Sequence, residues 1–185
     1  MRRVAAAPGL WGVLALTVLA GAARAEGLGA CVWGKLSAAE QARVIAAYGR
    51  DMGAGAAALE KLDARVRTAA AGCSGRKTIP AAWPQTLAGS EGVQVHAASV
   101  LRIDRARLDA MWKAAPANVA ACVRANGRLA FSPNALGCAD PAATQWVLRQ
   151  VGVARGTPAA AQAVFYFNAK AIGEWGDSFV AKLKP

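Results

Sequence analysis

Four cysteines constrain this sequence more than any other feature. They stand at positions 31, 73, 122 and 138 of a 185-residue chain, and no pair forms the Cys-x-x-Cys motif of redox sites and zinc ribbons. In an exported protein, an even number of separated cysteines is most simply paired into disulfides. We favour Cys31 with Cys73 and Cys122 with Cys138, although spacing alone leaves the other two pairings open.

The compartment follows from the first 25 residues, which have the pattern of a secretory signal peptide. Residues 1–3 are positively charged, residues 10–20 are apolar, and residues 23–25 read Ala-Arg-Ala, a typical cleavage site. We therefore expect residues 1–25 to be removed and residues 26–185 to form a single helical domain. The mature chain is predicted to be periplasmic or secreted, with no transmembrane segment.

A lipid anchor is the alternative for export. The segment Leu28-Gly29-Ala30-Cys31 resembles a bacterial lipoprotein box, in which the cysteine carries the lipid. Arg24 and Glu26 separate this segment from the apolar run, however, and lipidation of Cys31 would leave an odd number of thiols. We keep anchoring through Cys31 as the second possibility.

Hydrophobic periodicity and capping residues predict a mainly α fold, a disulfide-stapled bundle of five to seven helices with a proline-rich connector. The connector is the segment from Thr78 to Gln85, which contains Pro80 and Pro84. Residues 93–96 also fit a short strand. The predicted helices begin at the Ser37-Ala-Ala-Glu40 capping box, near Ala56, near Ser90, after Asp104, beyond Pro116, at Asp140-Pro141 and at Thr157-Pro158. The tryptophans expected in the mature chain fall one per segment, which core packing explains: Trp33, Trp83, Trp112, Trp146 and Trp175.

The balance of charge indicates anionic partners. The chain carries 22 Lys and Arg residues against 11 Asp and Glu, and cations outside the cytoplasm favour anionic lipid, glycan or acidic protein. Solubility alone would also explain the balance. Residues 97–108 have the spacing of a helix-turn-helix, but an exported protein does not normally meet the chromosome, so we expect no nucleic acid partner. The candidate binding residues are Arg65, Arg67, Arg76, Lys77, Arg102, Arg105, Arg107 and Lys113.

Few residues suggest catalysis. Glu174 and Asp177 are three apart in the last predicted helix, where paired carboxylates could act on a sugar, and His96 could serve as a base. The match of residues 74–77 to Ser-x-x-Lys is better explained as a helix-end turn. With one histidine we expect no metal and no cofactor. The leading hypothesis is an exported, non-catalytic protein that binds an anionic envelope component or partner protein, and the alternative is a small periplasmic cell-wall hydrolase.

Overall fold

The computed structural model describes residues 27–75, 78–132 and 134–183, and this part of the chain is mainly helical, with no strand. The mainly α prediction is confirmed. The predicted signal peptide, Arg76 and Lys77 lie outside the described residues. The helices are α1 (Leu28–Gly34), α2 (Ala38–Tyr48), α3 (Met52–Glu60), α4 (Asp63–Cys73), α5 (Trp83–Leu101), α6 (Arg105–Lys113), α7 (Ala117–Arg128), α8 (Pro141–Val151) and α9 (Pro158–Val180).

The described residues therefore form nine helices, and the prediction of five to seven was too low. The sequence pattern did not indicate α1, which is seven residues long and has no side-chain cap of its own. It also predicted a single helix that begins near Ala56, whereas the chain turns at Lys61 and Leu62 and forms α3 and α4. The apolar spacing of Leu59, Leu62 and Val66 continues through that turn, so periodicity could not reveal it.

The connector is shorter than predicted. Pro84 is the second residue of α5, where its missing N–H costs no hydrogen bond, so α5 begins seven residues before Ser90. Residues 93–96 are helical and not a strand.

Several predicted helix starts are confirmed by side-chain caps. Ser37 and Glu40 form the complete capping box at α2. Asp104, Asp140 and Thr157 each accept a backbone N–H from the first turn of α6, α8 and α9.

Both disulfides have the favoured pairing. Cys31 is bonded to Cys73, joining α1 to the end of α4, and Cys122 is bonded to Cys138, fastening the segment after α7 to that helix. Disulfides of this kind are typical of a non-cytoplasmic, oxidising compartment. The Cys31 sulfur is used in a disulfide, so it is not available for the lipid of the alternative export route.

Two hydrophobic cores share the long helices α5 and α9. The first core contains residues of α1 to α4 packed on the first part of α5, and Cys73 borders it. The second contains residues of α6 to α8 packed on the end of α5 and the first part of α9, and Cys122 and Cys138 belong to it or border it. Because α5 packs along α9, both cores are built on the same pair of helices. Within the described ranges, no helix has both the length and the hydrophobicity needed to cross a bilayer.

Candidate functional site

A polar cleft of about 660 Å³ lies between α5, α6, α9 and the start of α1. We call it the polar cleft. Most of its charged residues come from one face each of α6 and α9, because residues three and four apart share a helix face. Its charged and amide residues are Glu91, Gln94, Arg105, Asp109, Lys113, Lys170, Glu174 and Asp177.

Ion pairs organise one side of the polar cleft. Arg105 Nη2 lies 2.8 Å from Glu91 Oε2, and Gln94, which is only 1% exposed, also accepts from this guanidinium. Lys170 Nζ lies 3.0 Å from Asp109 Oδ1. The Tyr166 hydroxyl donates to the same Asp109 oxygen at 2.9 Å. These cations are therefore already neutralised by carboxylates of the protein.

The two carboxylates singled out from the sequence both line this cleft. Glu174 accepts a hydrogen bond from Trp112 Nε1 at 2.6 Å and lies 3.5 Å from Arg124 Nε. Asp177 Oδ1 accepts the Leu28 N–H at 2.8 Å. Burial raises the pKa of Asp177 above its usual value, and the neighbouring Glu91 charge raises it further, against the lowering effect of the Leu28 hydrogen bond.

A second and larger cavity, the apolar groove, has a volume of about 990 Å³. It lies where α3 and the end of α2 face α5 and α9, and most of its lining is apolar. The aliphatic and aromatic lining residues include Met52, Ala56, Leu59, Val93, Phe165 and Ile172. Tyr48 also lines it; burial raises the pKa of its phenol to about 12, so the ring stays neutral.

Polar side chains stand at one edge of the apolar groove. Asp63 forms an ion pair with Arg67 one helical turn away, and Gln85 Nε2 donates to the other Asp63 oxygen at 3.2 Å. The Arg67 hydrogen bond, followed by that of Gln85, holds the pKa of Asp63 below its usual value. Arg67 and Ala81 also line a smaller cavity of about 310 Å³. The two cavities therefore adjoin at Arg67 and Ala81.

Four aromatic rings meet where α5 begins and α9 ends. We call Trp83, Phe131, Trp175 and Phe179 the aromatic cluster. Trp83 contacts the other three, with ring centroids 4.8, 5.4 and 4.4 Å away, and Trp175 stacks on Phe131 at 4.7 Å and on Phe179 at 5.8 Å. Each is partly exposed. Core packing was the expectation for Trp83 and Trp175, and the structure places them in this surface cluster.

The six predicted binding cations that the structure describes lie on several different surfaces. Arg105 and Lys113 line the polar cleft, and Arg67 lines the apolar groove. Arg65 is exposed on α4, 3.6 Å from Glu40. Arg102 and Arg107 are exposed near the start of α6, and Arg102 has the left-handed conformation, with φ of 55°, that lets the chain turn from α5 into α6.

His96 lies outside both cavities. It is 7% exposed, and its ring centroid is 6.3 Å from that of Tyr48. Burial lowers its pKa, as expected for an imidazole packed inside the protein.

Comparison with family models, with curated proteins and with solved structures finds no match. Within the three described ranges, no group of three His, Cys, Asp or Glu side chains is placed to hold a metal ion.

The sequence did not reveal the apolar groove. The apolar part of its lining consists of alanine, aliphatic and aromatic side chains, which have the same sequence pattern as a closed core. The polar cleft did leave a signal. One side of α9 carries polar residues at steps of four, four and three: Tyr166, Lys170, Glu174 and Asp177. A polar stripe of this kind, beside an apolar face, indicates a helix face that does not belong to the hydrophobic core.

Proposed function

We propose that the protein is an exported, non-catalytic binding protein of the cell envelope, and that its ligand is an amphiphile whose apolar part lies in the apolar groove. The observation that carries this proposal is the groove itself. Its volume of about 990 Å³ and its mainly apolar lining are typical of pockets that hold small apolar ligands, with few polar groups to fix their orientation. The adjoining cavity beyond Arg67 suits an elongated ligand such as an acyl chain.

The edge of the groove favours a head group that carries both signs of charge. Arg67, one of the predicted binding residues, is exposed there and has donors beyond those used by Asp63. Glu60 lines the same cavity and is exposed. A phosphate would be attracted by the Arg67 guanidinium, and an ammonium group would be attracted by the Glu60 carboxylate. An envelope phospholipid with a phosphate and a primary amine has both groups.

The test uses lysophosphatidylethanolamine as the probe, with binding measured by native mass spectrometry and by titration. Ala56→Trp places an indole in the groove, whereas Ala57→Trp puts the same side chain on the same helix outside the lining. We expect the first variant to bind about tenfold more weakly or worse, because it removes apolar contact area from the ligand, and the second to bind like the wild type.

Arg67→Gln adds a test of the head group. It is expected to weaken binding of the phospholipid and to leave binding of a neutral monoacylglycerol unchanged. Equal affinity of all three variants for the probe, or no binding by the wild type, would refute the proposal.

A second candidate, the small cell-wall hydrolase, is favoured by the polar cleft. Both Glu174 and Asp177 line it, and burial raises the pKa of Asp177, as a general acid requires. Digestion of purified peptidoglycan, followed by release of soluble fragments, tests this candidate. If it is correct, Asp177→Asn stops the release and Glu60→Gln, outside the cleft, does not. Absence of fragments with the wild-type chain removes the candidate.

A further inference from the structure

Exposed apolar side chains belong to the aromatic cluster or to the segment that carries Phe131. Phe179 is 37% exposed, and so is Leu129, two residues before Phe131. Leu136 is 91% exposed, the highest value among the exposed large hydrophobic residues. The segment that contains Leu136 passes close to Leu129. A Cβ added to the next residue, Gly137, would lie 3.0 Å from Leu129 Cδ1. Apolar side chains gathered in this way mark an interaction surface.

The exposed Leu136 is held in place by its surroundings. The Cys122–Cys138 disulfide closes the segment two residues after Leu136, and Asn126 Oδ1 accepts the Cys138 N–H at 2.7 Å. Phe179 belongs to the last turn of α9. A fixed apolar side chain loses little conformational freedom when it enters a partner, which favours binding.

Taken together, three segments that carry or adjoin the cluster contain cations and no acid. The segments 78–90, 128–139 and 178–185 contain no Asp or Glu in the sequence. Arg128 and Lys182 are exposed, and each is joined by a backbone hydrogen bond to an aromatic residue of the cluster, at 3.0 Å to Phe131 and 2.9 Å to Phe179. The two acids of α9 beside the cluster, Glu174 and Asp177, both line the polar cleft, where Glu174 accepts from Trp112 Nε1 and Asp177 accepts the Leu28 N–H.

We propose that the aromatic cluster, with Leu129 and Leu136, docks on an anionic lipid bilayer. Tryptophan and phenylalanine with adjoining lysine and arginine are the side chains that suit the interface between head groups and acyl chains, and each cation near an anionic surface adds attraction. A sugar ring fits less well, because Phe131 and Phe179 already take the stacking contacts of Trp175. This inference is independent of the ligand in the apolar groove: the cluster brings the chain to a membrane whatever the groove holds.

Co-sedimentation with vesicles tests the proposal. The probe is phosphatidylglycerol mixed with phosphatidylcholine, compared with phosphatidylcholine alone, and the protein is the processed, disulfide-bonded chain with its N terminus verified by intact mass. We expect binding to the anionic vesicles that falls with added salt, and a blue shift of tryptophan emission, because Trp83 and Trp175 lie in the docking surface.

Leu136→Ser is the decisive variant. Since Leu136 is almost fully exposed, the change should not disturb folding, and it is expected to weaken vesicle binding about tenfold through loss of one inserted leucine. Val100→Ser is the matched control: Val100 is 46% exposed and lies about 25 Å along α5 from Trp83. Lys182→Glu should weaken binding to anionic vesicles, and Arg149→Glu on α8 should not.

Three results would overturn the proposal. They are no association of the wild type with anionic vesicles, an equal loss of vesicle binding in Leu136→Ser and Val100→Ser, or vesicle binding that Leu136→Ser leaves unchanged. A dimer in sedimentation equilibrium that Leu136→Ser dissociates, without vesicle binding, would assign the surface to a second copy of the chain. Ala56→Trp is expected to bind vesicles normally, so failure of the groove proposal would be seen separately.

Discussion

Two opposing effects act on the Asp177 carboxyl. It accepts the Leu28 N–H and thereby caps α1 from the far end of the chain, while burial in the polar cleft disfavours its charged form. Gly27 lies so close to this carboxyl that a side chain there would overlap it. Neither relation could be read from the sequence, because the two residues are about 150 positions apart.

The raised pKa of Asp177 predicts a pH dependence of stability. A carboxyl whose pKa is higher in the folded state stabilises the fold below its unfolded pKa, and this contribution is lost as pH rises through the folded pKa. Asp177→Asn keeps an oxygen for the Leu28 N–H and cannot ionise. We therefore expect the variant to gain stability relative to the wild type as pH rises from acid to neutral, measured by urea unfolding at a series of pH values.

The control for this prediction is Glu60→Gln, which alters an exposed carboxyl outside the cleft. The rise in relative stability of Asp177→Asn should exceed any change seen for Glu60→Gln over the same range. A constant difference for Asp177→Asn would show that the Asp177 carboxyl ionises alike in both states.

At the scale of the element, α9 connects all three surfaces. One face supplies Phe165, Asn168, Ala169 and Ile172 to the apolar groove, and another supplies Lys170, Gly173, Glu174 and Asp177 to the polar cleft. Trp175 and Phe179 then form part of the aromatic cluster. A 23-residue helix can do this because its side chains point in all directions around the axis.

Small residues allow α5 to pack closely beneath its neighbours. A side chain on Gly176 of α9 would overlap Leu87 of α5, and one on Gly92 of α5 would lie 2.9 Å from the Trp33 ring. The helices approach closely at particular glycines, but the sequence shows only that glycine is frequent. Composition therefore gave no indication of where α5 and α9 meet.

At the scale of the whole molecule, each core has its own disulfide. Cys31–Cys73 closes 42 residues around the first core, and Cys122–Cys138 closes 16 residues beside the second. A cross-link stabilises mainly by restricting the unfolded chain, and the chain-entropy relation gives about 4 kcal/mol for the longer loop and about 3 kcal/mol for the shorter one.

Removal of each disulfide is expected to follow that order. The double variant Cys31→Ser/Cys73→Ser should lose about 4 kcal/mol of unfolding free energy and Cys122→Ser/Cys138→Ser about 3 kcal/mol, compared by urea unfolding at one pH. Vesicle binding should fall only in the second variant, because that disulfide holds the Leu136 segment. A larger stability loss for the shorter loop would contradict the entropic explanation.

The sequence by itself determined the helical class and four of the helix starts, because capping side chains, prolines and apolar spacing act over a few residues. Ser37, Asp104, Asp140 and Thr157 each cap a helix through atoms two or three residues away. Such local chemistry is fully contained in a short stretch of sequence.

The tertiary structure alone decided the groove, the cleft and the aromatic cluster. Trp83, Phe131 and Trp175 come from segments more than 40 residues apart, and they become neighbours only when α5 lies along α9. The short helix α1 likewise depends on Asp177 and on Cys73. An apolar residue obeys the same periodicity whether it meets a neighbour, a ligand or solvent, so only the packing of distant helices distinguishes these cases.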